Sequence, residues 1–221
     1  MSDTDSFIDE VTEEVRRDRL FALMRKYGWI AILLVVLIVG GAAYSEWQKS
    51  TARASAEAFG DAVIAAMAAD DPAARVAALD ALKTTTDGNS SRIAVLEMLA
   101  AAESVAGDNR DVALSRLNTV AADTALPDSV RQLAQLKAVV LAGDTMSNEE
   151  RTRLLDGLAM PGAPFRPLAM EQQALALMDA GNGEAAVALL RQILQEPNVT
   201  AGLRRRATQL IVALGADPDA V

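Results

Sequence analysis

The side chains used most often for covalent catalysis and metal binding are absent from this sequence. Its 221 residues include no cysteine and no histidine, which excludes thiol nucleophiles, disulfides and histidine-based zinc, haem and proton-transfer sites. Carboxylates remain, as the pair Asp70-Asp71 and as Asp108 with Asp111. Two acids can divide the roles of acid and base when a pocket separates their pKa values.

These acids stand at breaks between helical segments, where a side-chain oxygen caps the next helix. Catalysis in a helical cavity is the alternative, and an unchanged activity after Asp108→Ala would count against it. We predict the capping role, and therefore a protein that is not an enzyme and has no catalytic residue, cofactor site or metal site.

The net charge does not favour a nucleic acid as a partner, and the sequence contains no glycine-rich loop of the kind that binds the phosphate of a small-molecule substrate. The net charge is −9, whereas a nucleic-acid surface needs clustered Lys and Arg.

Gly40 and Gly41 lie inside an apolar run, where they either contact another membrane helix or are an ordinary part of that run. The cluster Arg204-Arg205-Arg206 either binds acidic groups or is a solvated helix face.

An apolar segment near the N-terminus has the length of a membrane span. No charged residue occurs in the 19 residues from Tyr27 to Ser45. As a helix they cover ~28 Å, close to the ~30 Å hydrocarbon core of a bilayer. Tyr27 and Trp29 flank one end, and Tyr44 and Trp47 the other, as expected at the two membrane interfaces. We predict a transmembrane anchor over 27–45, with the lipid bilayer as a partner.

The basic residues predict the direction of this anchor. Five precede it, and two stand in the comparable stretch after it: Arg16, Arg17, Arg19, Arg25 and Lys26, against Lys49 and Arg53. Because positively charged flanks stay in the cytoplasm, we predict a bacterial inner-membrane protein with a cytoplasmic N-terminus and a periplasmic C-terminal domain. A buried core helix, or a signal peptide cleaved at Ser45 to release a soluble module, is the alternative.

Residues 1–26 form a predicted cytoplasmic arm with a short helix over 6–24. Phe7, Val11 and Val15 share one face of that helix. The face either binds a cytoplasmic partner, lies on the membrane surface or has no partner.

Residues 46–221 have the 3.6-residue periodicity of helices and lack the alternation of strands. Similar breaks recur every ~36 residues, a spacing typical of repeat architectures: Asp70-Asp71, Gly107-Asp108, Gly143-Asp144 and Gly181-Asn182. At such a break a glycine supplies a left-handed residue, and the next side chain caps the following helix. We predict an all-α domain of about four helix pairs plus a capping helix.

Each predicted pair joins a helix before a break to a helix after it. The segments are 54–69 with 73–83, 91–106 with 109–122, 128–142 with 147–158, 165–180 with 184–195, and a capping helix at 200–214. The sequence leaves open whether the first of these is continuous with the anchor or broken near Tyr44-Ser45. Lys137 and Gln172 interrupt the apolar faces of their helices, so we predict that both helices border a groove or solvent.

Aligned on these breaks, the first and last pairs match best. Three aliphatic positions coincide: Val76, Leu79 and Leu82 after Asp71, and Val187, Leu190 and Ile193 after Asn182. The second and third pairs match less well.

The last pair, MEQQALALMDAGNGEAAVALLRQILQEP, resembles a degenerate tetratricopeptide repeat. Ala174 and Leu177 stand at the packing positions of its first helix, and Ala186 and Leu190 at those of its second. Met170 stands at the usual tryptophan position and Leu190 at the usual tyrosine position. The resemblance implies a tetratricopeptide-like array.

The whole layout resembles the ancillary SecYEG translocon subunit family of bacterial inner-membrane proteins. An acidic-then-basic arm leads into one anchor, and YSEWQKS then opens a helical domain of about 170 residues. The resemblance implies a non-enzymatic accessory that binds Sec translocon subunits, a periplasmic folding factor and newly exported chains. It transfers no site residue, so the partner-binding residues stay unknown. A tethered scaffold for envelope assembly or cell division is the alternative.

Overall fold

The computed structural model describes residues 3–197 and 199–218, and only the backbone of residues 3–23 and 31. The predicted arm face of Phe7, Val11 and Val15 therefore lies outside the described side chains. The chain divides into two compact units, Met1–Asp61 and Ala62–Val221. Over the described ranges the secondary structure is helical, without strands, so the all-α prediction is confirmed.

The first helix, α1, runs from Asp3 to Met67 without a break. It is continuous through Tyr44-Ser45, the point at which the sequence allowed two possibilities. Within the described residues it contains the one helix, Met24–Met67, that is long and apolar enough to cross a membrane, with a mean hydropathy of 2.2 and none of its apolar window buried. A helix from a protein core would be mostly buried.

Eight further α-helices follow in the second unit. They are α2 (Pro72–Lys83), α3 (Ser90–Ala106), α4 (Arg110–Ala122), α5 (Asp128–Ala142), α6 (Asn148–Leu158), α7 (Arg166–Asp179), α8 (Gly183–Gln195) and α9 (Ala201–Ala213). Each begins and ends within one residue of its predicted segment. The periodic apolar pattern and the caps therefore determine these helices locally.

Two of the four tight turns agree in part with the predicted scheme. Asp71 caps α2, and its carboxylate accepts a hydrogen bond from the backbone N–H of Ala74 at 2.9 Å. Gly181 adopts the predicted left-handed conformation, with φ of 75°. Asn182 occupies the N-cap of α8 as predicted, but its side chain makes no capping hydrogen bond.

The other two turns correct the prediction. Gly107 has a φ of −90°, and Asp108 takes the left-handed conformation instead, with φ of 60°. A Cβ on Gly107 would stand 3.4 Å from the Cβ of Pro72, an ordinary van der Waals contact, so neither its φ nor its surroundings require glycine at this position. Because Asp108 is used in the turn, the N-cap of α4 moves to Asn109.

At the third turn, Gly143 has a positive φ of 51°. A short 3-10 helix, Gly143–Thr145, begins at this glycine and includes Asp144. The cap of α6 is therefore Ser147, whose hydroxyl accepts a hydrogen bond from the backbone N–H of Glu150 at 3.3 Å.

Counted from these observed N-caps, all four second helices agree at two apolar positions, whereas at the fifth residue after the cap α6 has Thr152 where the others are aliphatic. The eighth residue after the cap is leucine in every case: Leu79, Leu117, Leu155 and Leu190, each between 0% and 4% exposed. The eleventh is aliphatic in every case: Leu82, Val120, Leu158 and Ile193. The poor match of the second and third pairs arose because the predicted breaks were not the actual caps.

The apolar core of the second unit is a series of local clusters. One contains Ala101 of α3, Leu117 of α4 and Ala138 of α5. The next joins α5, α6 and α7 through Leu136, Leu155 and Ala169, among others. The last joins α7, α8 and α9 and is the largest of those described: Met170, Ala174, Val187, Leu190, Ile193, Leu203, Ala207 and Ile211.

The principal helix contacts among the described residues join neighbours along the chain, from α2 with α3 through to α8 with α9. Each cluster accordingly uses three consecutive helices. On one face of α3 and α5, Ala102, Val105, Lys137 and Val140 remain exposed.

Candidate partner-binding groove

An open groove of about 520 Å³ lies along α3, α5 and α7. Its volume falls in the ~300–1,000 Å³ range of ligand sites. The lining is mostly aliphatic, and it includes Leu117, which closes the groove from α4. Val105 and Val140 line it while remaining 46% and 53% exposed. Large apolar side chains thus face solvent inside a concave surface, where a partner could cover them.

The spacing of the lining residues explains how they share one surface. In α3 they are Met98, Ala101, Ala102 and Val105, and in α5 Leu133, Leu136, Lys137 and Val140, with Leu141 at the edge of this face. In α7 they are Leu168, Glu171 and Gln172, followed by Leu175 in an adjoining cavity. Positions i, i+3, i+4 and i+7 lie on one face of a helix.

The same positions recur from helix to helix at a constant separation. Each lining residue of α3 stands 35 residues before a lining residue of α5, and four of the five lining residues of α5 stand the same distance before a residue of α7 that lines this groove or the adjoining cavity. The register continues into α9, because Glu171 of α7 pairs with Arg206, 35 residues further on. The inner face is therefore periodic even where the turns are not.

Two polar residues in this surface were anticipated by the sequence. Lys137 and Gln172, which interrupt the apolar faces of α5 and α7, both line the groove. The prediction that these helices border a groove or solvent is confirmed. Arg110, at the start of α4, also lines it.

Glu171 and Arg206 form a bidentate ion pair at the end of the groove. Arg206 donates from Nε to Oε1 at 2.7 Å and from Nη2 to Oε2 at 2.8 Å. These hydrogen bonds raise the pKa of the Arg206 guanidinium. Both residues also line a second cavity, of about 600 Å³, between α7 and α9. The ion pair thus stands where the two cavities adjoin.

The arginine cluster 204–206 does not act as one basic patch. Arg206 is committed to Glu171, and Arg204 donates to the backbone carbonyl of Leu194 at 3.1 Å. Arg205 is exposed to solvent. The three adjacent guanidinium groups therefore have three different environments.

The candidate acids lie apart from the groove. Asp71 is a helix cap, and Asp108 forms the turn before α4. Asp70 and Asp111 are partly or fully exposed on the surface. None of these four carboxylates lines the described cavities.

The residues of the predicted anchor are exposed along α1. The Tyr44 and Trp47 rings are 6.1 Å apart between centroids, and the Lys26 ammonium lies 5.5 Å from the centre of the Tyr27 ring. Trp29 is 61% exposed. A Cβ added to Gly40 or Gly41 would meet nothing within 4 Å, so both positions present bare backbone.

Sequence reasoning did not find Arg110 or the pairing of Glu171 with Arg206. The constant separation of 35 residues is the pattern that would have found the pairing, had the first helices been aligned instead of the turns. Comparison with protein-family models, with curated proteins and with solved structures finds no match to this chain.

Proposed function

We propose that this protein is a membrane-tethered, tetratricopeptide-like adaptor that binds polypeptide partners in the groove along α3, α5 and α7. The observation on which the proposal depends is the exposure of aliphatic side chains in a concave surface, above all Val105 and Val140. Packed proteins leave few large apolar surfaces uncovered unless a partner covers them. Amphipathic and extended peptides bind in such grooves through spaced apolar side chains.

We propose a repeat array of four helix pairs with α9 as the cap, and two regularities support parts of it. Lining positions recur every 35 residues, and every second helix has leucine at the same offset from its N-cap. A tetratricopeptide repeat has ~34 residues and two helices. The first helices of such an array would form the groove, and the second helices its outer layer.

The apolar segment of α1 supports tethering. Confining the groove at a membrane raises its effective concentration near a membrane complex. We propose the bacterial inner membrane, with the helical domain in the periplasm, and a translocon-associated complex as the partner. The chain resembles the ancillary SecYEG subunit family in layout, and the proposed clients are emerging exported chains.

Affinity purification of the native-level protein from mildly solubilised membranes tests this function. The groove variant is Val105→Ser with Val140→Ser, side chains that are 46% and 53% exposed. The matched control is Val95→Ser with Val212→Ser, which are 42% and 57% exposed and lie outside the described cavities. A second control replaces the anchor with an unrelated apolar helix.

We expect polypeptides that the control variant retains and the groove variant loses. Sec subunits that disappear on replacing the anchor would support the translocon role. Partners from envelope assembly or division, without Sec subunits, would favour a scaffold instead. Equal recovery of every polypeptide by the groove variant and its control would refute binding in the groove.

A further inference from the structure

We propose that the groove selects polypeptide segments that combine aliphatic side chains with carboxylates, and that Lys137 and Arg110 recognise those carboxylates. This inference rests on the proposed polypeptide-binding function and specifies the chemistry of the partner. It follows from the distribution of paired and unpaired charges in the second unit.

Most cations of α2–α9 are occupied within the chain. In the described residues, four of them form neither an ion pair nor a hydrogen bond: Arg110, Lys137, Arg153 and Arg205. Two of these four line the groove. The whole chain has a net charge of −9, so unpaired positive charge in this apolar groove is opposite in sign to the net charge of the molecule.

Among the described residues that line the groove, no carboxylate is free to balance these cations. Glu171 is the carboxylate in its lining, and both of its oxygens accept hydrogen bonds from Arg206. A bound segment therefore contacts the positively charged Arg110 and Lys137 as well as the aliphatic lining of the groove. Carboxylates from the partner would complement these charges, whereas lysine or arginine side chains would be repelled.

The geometry of the helices sets the spacing of the recognised groups. Lys137 stands between Leu136 and Val140 on the inner face of α5, and its counterpart in α3 is Ala102, in the same register. An aliphatic side chain of a partner that covers Val140 would therefore lie one helical turn from Lys137, three residues earlier on the same face. The partner segment needs its acid within a few residues of its aliphatic anchor.

Titration of fluorescent peptides against the full-length protein tests the inference. The protein is held in nanodiscs of phosphatidylcholine, which keep detergent out of the groove and add no net lipid charge. Three peptides of equal length are compared: leucines with glutamates, leucines with lysines, and serines with glutamates. Fluorescence anisotropy gives each Kd, with and without added salt.

The variant is Lys137→Glu combined with Arg110→Glu, and the matched control is Arg153→Glu with Arg205→Glu, which changes the charge equally outside the groove. We expect the leucine–glutamate peptide to bind tightest to the wild type. Because the groove variant removes two partly exposed charge pairs, its affinity for this peptide should fall by about fivefold to tenfold. The control should change its Kd by less than about twofold, and the groove variant should gain affinity for the leucine–lysine peptide.

Three results would overturn the inference. One is equal binding of acidic and basic leucine peptides by the wild type, which would leave polypeptide binding intact but remove the charge selection. Another is an equal loss in the groove and control variants at unchanged helical circular dichroism. The third is no binding of any peptide, in which case partners recovered from membranes would engage a different surface.

Discussion

A network of four charged side chains links the helices at one end of the helical unit, whereas the largest described aliphatic cluster lies at the other end, beside the Glu171–Arg206 ion pair. At the α2–α4 end, Arg116 of α4 binds Asp80 of α2 at 2.8 Å and Glu97 of α3 at 2.9 Å. Lys83 binds the same two acids. At the α7–α9 end, eight buried apolar residues form one cluster, in which Leu190, Ile193 and Ile211 are fully buried.

Apolar contacts and ion pairs differ in how much each contributes to the free energy of unfolding. Burial of a leucine-sized side chain stabilises by about 1.5–3 kcal/mol, whereas the attraction within an ion network is largely offset by the cost of desolvation. The clusters near α3 and α4 are rich in alanine, as with Ala101, Ala113 and Ala138. We therefore expect charged contacts to contribute a larger share of the helix–helix contacts at that end, and apolar burial a larger share of the stability at the α7–α9 end.

Among the substitutions that test this contrast, Leu190→Ala should have the largest effect. It should lower the free energy of unfolding by about 3–4 kcal/mol, because the side chain is fully enclosed and leaves a closed cavity. Leu117, at the equivalent position of α4, lines the open groove, so Leu117→Ala should cost about 1 kcal/mol less. Urea unfolding followed by circular dichroism measures both, and equal losses would contradict the contrast.

Arg116→Met should have the next largest effect, about 2 kcal/mol, since it removes a partner of the nearly buried Glu97. The matched change at the other end is Arg206→Met, which leaves the nearly buried carboxylate of Glu171 without its ion-pair partner, although the guanidinium it removes is 52% exposed. Because Lys83 still pairs with Glu97 in Arg116→Met, the two losses should be similar, at about 2 kcal/mol. The same urea unfolding applies, and a much smaller loss from Arg206→Met would show that solvent screens the Glu171–Arg206 pair.

The helix caps extend the comparison to smaller energies. Asp71→Ala removes a capping hydrogen bond of 2.9 Å and should cost about 1 kcal/mol. Asn182 makes no capping hydrogen bond from its side chain, so Asn182→Ala should cost only a few tenths of a kcal/mol. A thermal midpoint that falls further for Asn182→Ala than for Asp71→Ala would show that the cap geometry is misassigned.

The smallest predicted effect is a dependence on pH. Hydrogen bonds from Arg116 lower the pKa of Asp80 from 3.8 to about 2. A depressed pKa means that the folded state favours the charged form, so this stabilisation is present above about pH 4 and is lost as the pH falls toward 2. Because the Asp80 side chain is 38% exposed, the contribution should be less than about 1 kcal/mol.

Asp80→Asn isolates this contribution. The difference in urea midpoint between the wild type and Asp80→Asn should shrink between pH 4 and pH 2. A difference that stays constant over that range would show that the carboxylate contributes nothing through its charge.

The local elements could be predicted from the sequence, but the register between them could not. Helix ends follow from apolar periodicity and caps, and Lys137 and Gln172 marked the inner face because a polar residue interrupts each apolar stripe. The turns misled the alignment, since Asp108 adopts a positive φ that glycine usually supplies. The pairing of Glu171 with Arg206 depends on how α7 and α9 are juxtaposed, which no single helix encodes.

The contacts between consecutive helices have a consequence for the order in which the chain folds. Since α2 packs on α3, α3 on α4, and so on to α9, almost every stabilising contact closes a short loop. Short loops lose little entropy on closure and form quickly. Each helix can therefore dock as soon as it has emerged from a ribosome or a membrane pore, without waiting for the C-terminus, so the domain can assemble in the direction of its own synthesis.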